Sequence, residues 1–346
     1  MLFLEKLLLG EKLKASNITK VLKQLIVKKL PVFIWGAPGI GKSSIIKQIS
    51  SAQDLEFIDL RLSLLDPTDL KGIPFFNADT KEGVWAKPSF LPSAKDSKGI
   101  LFLDEINTAP PAVQASAYQL ILDRKVGEYE LPKEWSIVAA GNRENDRGVV
   151  YKMPAPLANR FVHFEMEVDF DDWKAWAYSV NIESSIIAYL AYDKSMLFTF
   201  DASLNEKSFA TPRSWEYVDS IVKSDIDEEL ILDSISGAVG REAAIGYISF
   251  KKVMKELPNL SDILDGTLKG FKDDSPKLMM ALVVGLVNAL QENKKKSAIA
   301  NVLTFSLDLP GEFAIMLTKD MQHNGLDVEG SEAWGAWVRK FAYLLS

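Results

Sequence analysis

Apolar and polar positions follow two rhythms along this chain, and the change between them falls near residue 167. Before it, short apolar runs alternate with stretches of helical period. The runs are "PVFIW" (31–35), "LEFIDL" (55–60), "GILFLD" (99–104), "SIVAAG" (136–141) and "FVHFEM" (161–166). Runs this short, bounded by turn residues, predict strands covered on both faces. Their alternation with helices predicts an α/β fold built on a parallel five-stranded sheet. "SSIIKQISSA" begins a helix directly after a Gly-rich turn, and "TAPPAVQASAYQLILDRK" places two prolines at a helix start. From residue 170 onward only helical periodicity remains, broken near Pro212, Gly237–Gly240, Pro258, Pro276 and Pro310. The expected organisation is an α/β domain over 1–167, an all-α region over 168–252 and an all-α C-terminal extension over 253–346.

Composition narrows the chemistry. At 346 residues the chain exceeds one typical core and suits two or three domains. With no cysteine, disulfides, thiolate metal sites and Cys nucleophiles are excluded. The two histidines, His163 and His323, lie far apart, which argues against a multi-His metal cluster. His163 alternates with apolar neighbours in a strand and is expected to be a satisfied core residue. A net charge of −7 argues against wholesale coating of nucleic acid, while leaving room for a local basic patch. The segment "LFLEKLLLGEKLK" carries an early Glu and no small-residue cleavage site, so it does not read as a signal peptide. "LMMALVVGLVNAL" (278–290) is too short to span a bilayer and reads as a buried helix. A cytoplasmic protein with no membrane partner is expected.

The most specific motif is "GAPGIGKS" (36–43), which fits G-x-x-x-x-G-K-[ST] between a strand and a helix. Its glycines let successive backbone N–H groups turn inward toward phosphate oxygens, and the following helix N-terminus adds positive potential. The predicted cradle runs through Gly36, Ala37, Pro38, Gly39, Ile40, Gly41, Lys42, Ser43 and Ser44. Lys42 is expected to reach the β- and γ-phosphates of ATP, and Ser43 to ligate Mg²⁺. "ILFLDEIN" (100–107) puts Asp104 at the carboxyl end of a buried strand, where the ligand crevice of such sheets lies. Asp104 can hold Mg²⁺ there, and Glu105 can orient and deprotonate an attacking water. Asn142, ending "IVAAGN", can position that water or bond the γ-phosphate. Arg160, in "MPAPLANRF" (153–161), is the only formal charge between Lys152 and His163. It either caps a helix end, pairs with Glu165 or Asp146, or waits for an anion from elsewhere.

"GAPGIGKS", "LFLDEIN", "AAGN" and "LANRF", in this order and spacing over about 15–250, resemble the AAA+ ATPases. Within them, two segments are similar to the MoxR-like group: Asp69–Phe90, which looks like a β-hairpin insertion, and Asp123–Trp135, which looks like the hairpin before the sensor strand. The resemblance implies an AAA+ core followed by a helical lid, a homo-oligomer in the form of a hexameric ring, and hairpins facing its centre. It implies that Arg160 reaches ATP held by the next protomer as an arginine finger, with Arg143 and Arg147 as competitors for that role. It also implies that Arg213, in "FATPRSWEYV" (209–218), contacts the bound phosphates from the lid. Catalytic roles thus fall to Glu105, Asn142, Arg160 and Arg213. Asn159 before the finger, and Asn142–Arg143 where relatives carry Asn-Pro, depart from the family pattern.

The function implied is ATP-driven remodelling or maturation of a client protein, with a separate von Willebrand A-domain protein as partner. One alternative is a nucleotide-gated scaffold or switch. Another is a DNA-directed motor such as a helicase loader or McrB-like translocase. The basic first fifty residues, nine Lys against two Glu, keep nucleic acid in view, but the acidic whole does not favour it.

Overall fold

A computed structural model describes residues 12–143, 146, 151, 153–273 and 275–344. The chain forms two compact units, one of residues 1–169 with 201–205 and one of 170–200 with 206–346. The expected extension falls within the second unit, as does the expected lid apart from residues 168–169 and 201–205.

The first unit is built on a five-stranded sheet of β1 (Val32–Trp35), β2 (Glu56–Arg61), β5 (Gly99–Asp104), β8 (Trp135–Gly141) and β9 (Val162–Glu165). Its order is β2-β5-β8-β1-β9, and every pairing is parallel. The predicted sheet is therefore the observed one. Apolar continuity in β5 and β8 follows from cover on both faces: Ile100–Leu103 and Ile137–Ala140 are buried. Helix α1 (Ala15–Val27) buries Ile18, Leu22 and Ile26, a spacing of four that gives one apolar stripe. Helix α2 (Lys42–Ala52) buries Ile45, Ile46 and Ile49, and the later helix Pro111–Asp123 buries Val113, Ala117, Leu120 and Ile121.

Strand β9 lies at the edge of the sheet. At its carboxyl end the outer side is covered by residue 13, whose N–H donates to Glu165 O (2.8 Å) and whose carbonyl accepts from Glu167 N (3.1 Å). A covered edge does not offer its backbone to a foreign strand. His163 on this strand is exposed rather than buried, because an edge strand packs one face only. Both its ring nitrogens are nonetheless satisfied: Nδ1 accepts from Trp35 Nε1 (3.0 Å), and Nε2 lies 2.8 Å from Ala158 O. The core placement expected for it is thus corrected, while its satisfaction is confirmed.

Two hairpins leave the sheet. β3 (Ile73–Asn77) pairs antiparallel with β4 (Glu82–Ala86), and β6 (Lys125–Val126) with β7 (Tyr129–Glu130). Both lie in the segments expected to form insertions. The first is exposed along both strands apart from half-buried Asn77.

The second unit is helical. Its centre is the helix Pro276–Glu292, buried from Leu278 to Val287, packed on the helices Ser184–Tyr192 and Gly311–His323. This is the segment expected to be a buried helix. Among the described residues no helix is long and apolar enough to cross a membrane. Within this unit Lys174 Nζ sits 2.6 Å from Asp320 Oδ1, the two side chains only 12% and 4% exposed. Burial pushes the Asp320 carboxyl above its ordinary range, and the Lys174 ammonium opposes that. Losing one partner would strand the other charge in an apolar core. Lys174→Ala is expected to cost the second unit about 3–5 kcal/mol in urea unfolding, whereas Lys174→Met combined with Asp320→Leu should recover most of it. A loss below ~1 kcal/mol for the single variant would contradict this account of the pair.

Candidate functional site

The carboxyl ends of β1, β5 and β8 meet along one rim of the first unit, because neighbouring strands in a parallel sheet all end on the same side. From β1 the chain enters the loop 36–41 and turns straight into α2 at Lys42. Gly39 (φ 75°) and Gly41 (φ 94°) take left-handed conformations that side chains resist, and this lets the loop curl. Gly36 N donates to Gly141 O (3.2 Å), tying the loop entrance to the end of β8. A Cβ at Gly36 would lie 2.6 Å from Ile40 Cδ1 and 3.2 Å from Met166 O, so a side chain there would collide with the loop's own closure. The first turn of α2 contains no acidic residue, leaving its dipole free to attract an anion.

The Lys42 ammonium lies across this loop. Its Nζ donates to Gly36 O (2.7 Å), Ala37 O (2.9 Å) and Asn142 Oδ1 (3.3 Å). Loop and sensor strand, a hundred residues apart in sequence, are thus held on one cation.

Next along the rim stand Asp104 and Glu105. Burial pushes the Asp104 carboxyl above the ordinary carboxylate range, with Lys42 the main force pulling it back. Glu105 has φ 57°, an uncommon conformation for a non-glycine residue, costing about 1–3 kcal/mol. The turn that holds it is cross-braced: Glu105 N donates to Asp104 Oδ1 (2.9 Å), and Thr108 Oγ1 donates to Glu105 O (2.9 Å). The Glu105 carboxylate itself accepts from the Ser63 hydroxyl just past β2. Asp59 and Arg61 on β2 lie on the same side. Partial burial raises the Asp59 carboxyl, Arg61 lowers it, and Glu105 raises it again.

Asn107 closes the floor. Its Nδ2 donates to Asn142 O (2.7 Å) and its own carbonyl accepts from Tyr151 N (2.7 Å). Its buried Oδ1 packs where a Cβ at Gly141 would come within 2.4 Å. Only glycine at 141 leaves room for this clasp. Neither Ser63 nor Asn107 was assigned a role from sequence. Ser63 gives no local signal, since its partner is 42 residues away. Asn107 ends the quoted "LFLDEIN" run but looks there like a turn residue.

The arginines separate clearly. Arg143 is engaged: it binds Asp146 through Nε and Nη2 (2.8–3.1 Å) and reaches Glu165 at 3.5 Å. Its hydrogen bond to Asp146 raises its pKa further. Arg160 is exposed and, among the described residues, its side chain makes no hydrogen bond or ion pair. Both carboxylates weighed as its intrachain partners, Asp146 and Glu165, contact Arg143 instead. Arg147 lies outside the described residues. Arg213 sits in the second unit, exposed in the first turn of the helix Pro212–Val222, with Glu216 as its electrostatic neighbour.

Residues 31–161 match the family model described as AAA domain (dynein-related subfamily). This part of the first unit is similar to an AAA domain. Solved structures similar to the chain include NtrX of Brucella abortus in complex with ADP, 16% identical, covering 90% of this chain and 68% of that one with a TM-score of 0.40. Another is a RuvB mutant of Thermotoga maritima, 16% identical, covering 78% and 80%, with a TM-score of 0.37.

ATP with Mg²⁺ is the pair that the motif at 36–43 predicts. The residues present fit that pair. A glycine loop opening on a helix start and carrying one ammonium suits a polyphosphate. The Ser43 hydroxyl in the first turn of α2 and the Asp104 carboxylate at the end of β5, both oxygen donors, suit a cation that keeps water and phosphate oxygens as its other ligands.

The buried carboxylate yields a prediction. A carboxyl whose pKa is higher folded than unfolded weakens the fold as pH rises through the unfolded value, so at neutral pH ionised Asp104 is a stability cost. Asp104→Asn should raise the melting temperature of nucleotide-free protein by about 2 °C near pH 7, and less near pH 4, while abolishing Mg²⁺-dependent hydrolysis. An unchanged or lowered melting temperature at both pH values would contradict the assigned burial.

Proposed function

We propose that this AAA domain works in a hexameric homo-oligomeric ring of the MoxR-like kind, which uses ATP hydrolysis to remodel or mature a client protein complex. The observation that carries this reading is Arg160. Its turn is clamped by the buried side chains Leu157 and Phe161 on either side, yet Arg160 stands exposed, and the two carboxylates that sequence offered it contact Arg143 instead. A cation carried on a closed turn, without a counter-ion among the described residues, is suited to the γ-phosphate of a neighbour.

In this scheme the loop N–H groups and Lys42 hold the triphosphate, and Ser43 and Asp104 hold Mg²⁺. When bound, the metal neutralises charge on the β- and γ-phosphates. Glu105 takes a proton from the attacking water as its oxygen bonds to the γ-phosphorus and the bridging P–O bond breaks, leaving ADP and phosphate. Ser63 holds the Glu105 carboxylate by hydrogen bond, and the Asn142 amide, anchored through Asn107, directs the water or the γ-phosphate. Arg160 stabilises charge on the neighbour's transferring group, and Arg213 reports phosphate occupancy to the helical unit.

Contact with the client is assigned to the hairpins. Ile73, Phe75 and Phe76 are 57–72% exposed on β3, an apolar display that a monomer gains nothing from carrying. A separate von Willebrand A-domain protein is the partner this scheme accommodates.

The test is subunit mixing. Arg160→Ala should bind ATP normally but lose roughly 10³-fold or more in kcat. Glu105→Gln should bind ATP and be equally inactive. Mixed together they should regain hydrolysis at interfaces that combine an intact Glu105 with a neighbour's intact Arg160. Absence of recovery at every mixing ratio would place Arg160 in its own protomer's site and overturn the ring mechanism.

A further inference from the structure

His163 makes two bonds whose chemistry fixes its protonation. An indole N–H can only donate, so the Nδ1 facing Trp35 Nε1 at 3.0 Å is a bare acceptor. A carbonyl oxygen can only accept, so the Nε2 facing Ala158 O at 2.8 Å carries the hydrogen. The ring is therefore the neutral Nε2–H tautomer, held between two elements rather than within one. It lies nearly parallel to Trp35, with centroids 6.1 Å apart and planes 20° apart, and its other neighbours are Phe33 and Phe161.

The two ends of this bridge have different destinations. Trp35 is the last residue of β1, immediately before Gly36 of the phosphate loop, and its carbonyl accepts from Met166 N (2.8 Å). Ala158 ends the one-turn helix Ala155–Ala158, and its carbonyl also accepts from Phe161 N (3.2 Å). Arg160 lies inside that closed turn, with its own N–H donating to Leu157 O (2.9 Å). The Arg160 turn is thus fastened from one side by apolar anchors and from the other by an imidazole that rests on the strand feeding the phosphate loop.

We propose that His163 is a positioning residue for Arg160: it couples each protomer's own phosphate loop, through Trp35, to the arginine that the protomer extends toward its neighbour. The inference rests on the finger reading of Arg160. It adds a specific strut, His163 with Trp35, that sets where the guanidinium is delivered. The strut acts on the neighbour's reaction and leaves the protomer's own nucleotide binding alone. A finger contributes some 10³–10⁵-fold, and a displacement of about 1 Å at a reacting group costs up to 10²-fold, so a slackened strut should cost an intermediate amount.

The experiment compares His163→Leu, which removes both bonds, with His163→Gln, whose amide can still donate to Ala158 O, and Trp35→Phe, which keeps the ring but removes the donor. His163→Leu should bind ATP with wild-type affinity, which also reports an intact fold, and lose about 10- to 100-fold in kcat. His163→Gln should recover part of that loss, and Trp35→Phe should show a smaller one.

Mixing then separates a finger defect from a general one. Glu105→Gln subunits, whose Arg160 is intact, should restore turnover at His163→Leu sites, and Arg160→Ala subunits should not. A His163→Leu kcat within twofold of wild type, or equal rescue by both mixing partners, would overturn the proposal. Should His163→Leu fail to bind ATP, Trp35→Phe decides: a wild-type kcat there also overturns it. If Arg160→Ala itself turns over at the wild-type rate, the finger reading falls and takes this inference with it. If Arg160→Ala is inactive while the His163 and Trp35 variants are fully active, only this inference falls.

Discussion

One ammonium group holds the rim of the sheet together. Lys42 Nζ bonds two carbonyls of its own loop and the side chain of Asn142 at the end of β8, the strand next to β1. Much else depends on it. Asp104 is buried deeply enough to have its carboxyl pushed up, and Lys42 is the strongest influence in the opposite direction. Asn142 faces the loop because Lys42 binds its side chain while Asn107 binds its backbone. A cation resting on carbonyl oxygens is also poised to exchange them for phosphate oxygens, which carry more negative charge and make stronger hydrogen bonds.

The parallel strand order makes this convergence possible. With β1 between β8 and β9, the phosphate loop and the Asn142 amide are neighbours at the carboxyl ends of their strands though a hundred residues apart in sequence, while the turn bearing Arg160 lies at the amino end of β9, next to Pro31. Position along the sheet also divides the labour. The inner strands β5 and β8 are buried and supply fixed carboxylates and amides. The edge strand β9 carries the exposed group, Arg160, one turn upstream, and it can face a second molecule because nothing in the sheet covers that side chain. The β3–β4 hairpin carries the same logic further from the core, with apolar side chains on display and few packing constraints to limit them.

What could be read from sequence, and what could not, follows from the range of each interaction. The five strands were legible because strands covered on both faces show as unbroken apolar runs. The phosphate loop was legible because its glycines and Lys42 act within eight consecutive residues, and Asp104 and Glu105 because they end one such run. The partners of these groups were not legible. Ser63 meets Glu105 only through the pairing of β2 with β5, and Trp35 meets His163 only through the pairing of β1 with β9. The misplacement of His163 in the core had the same origin: alternation with apolar neighbours identifies a strand but does not say whether that strand lies at an edge. The fate of Arg143 depended equally on tertiary structure, since sequence offered it the same anion as Arg160 and only the fold gave it Asp146 and Glu165.

The claim on which the account stands is that Lys42 surrenders its carbonyl partners to the phosphates of ATP and so organises the whole rim. Calorimetric titration of ATP·Mg²⁺ into Lys42→Ala protein measures this most directly. The account predicts a loss of affinity of at least about 100-fold, the scale of two charge-assisted hydrogen bonds. Wild-type affinity in that variant would contradict it.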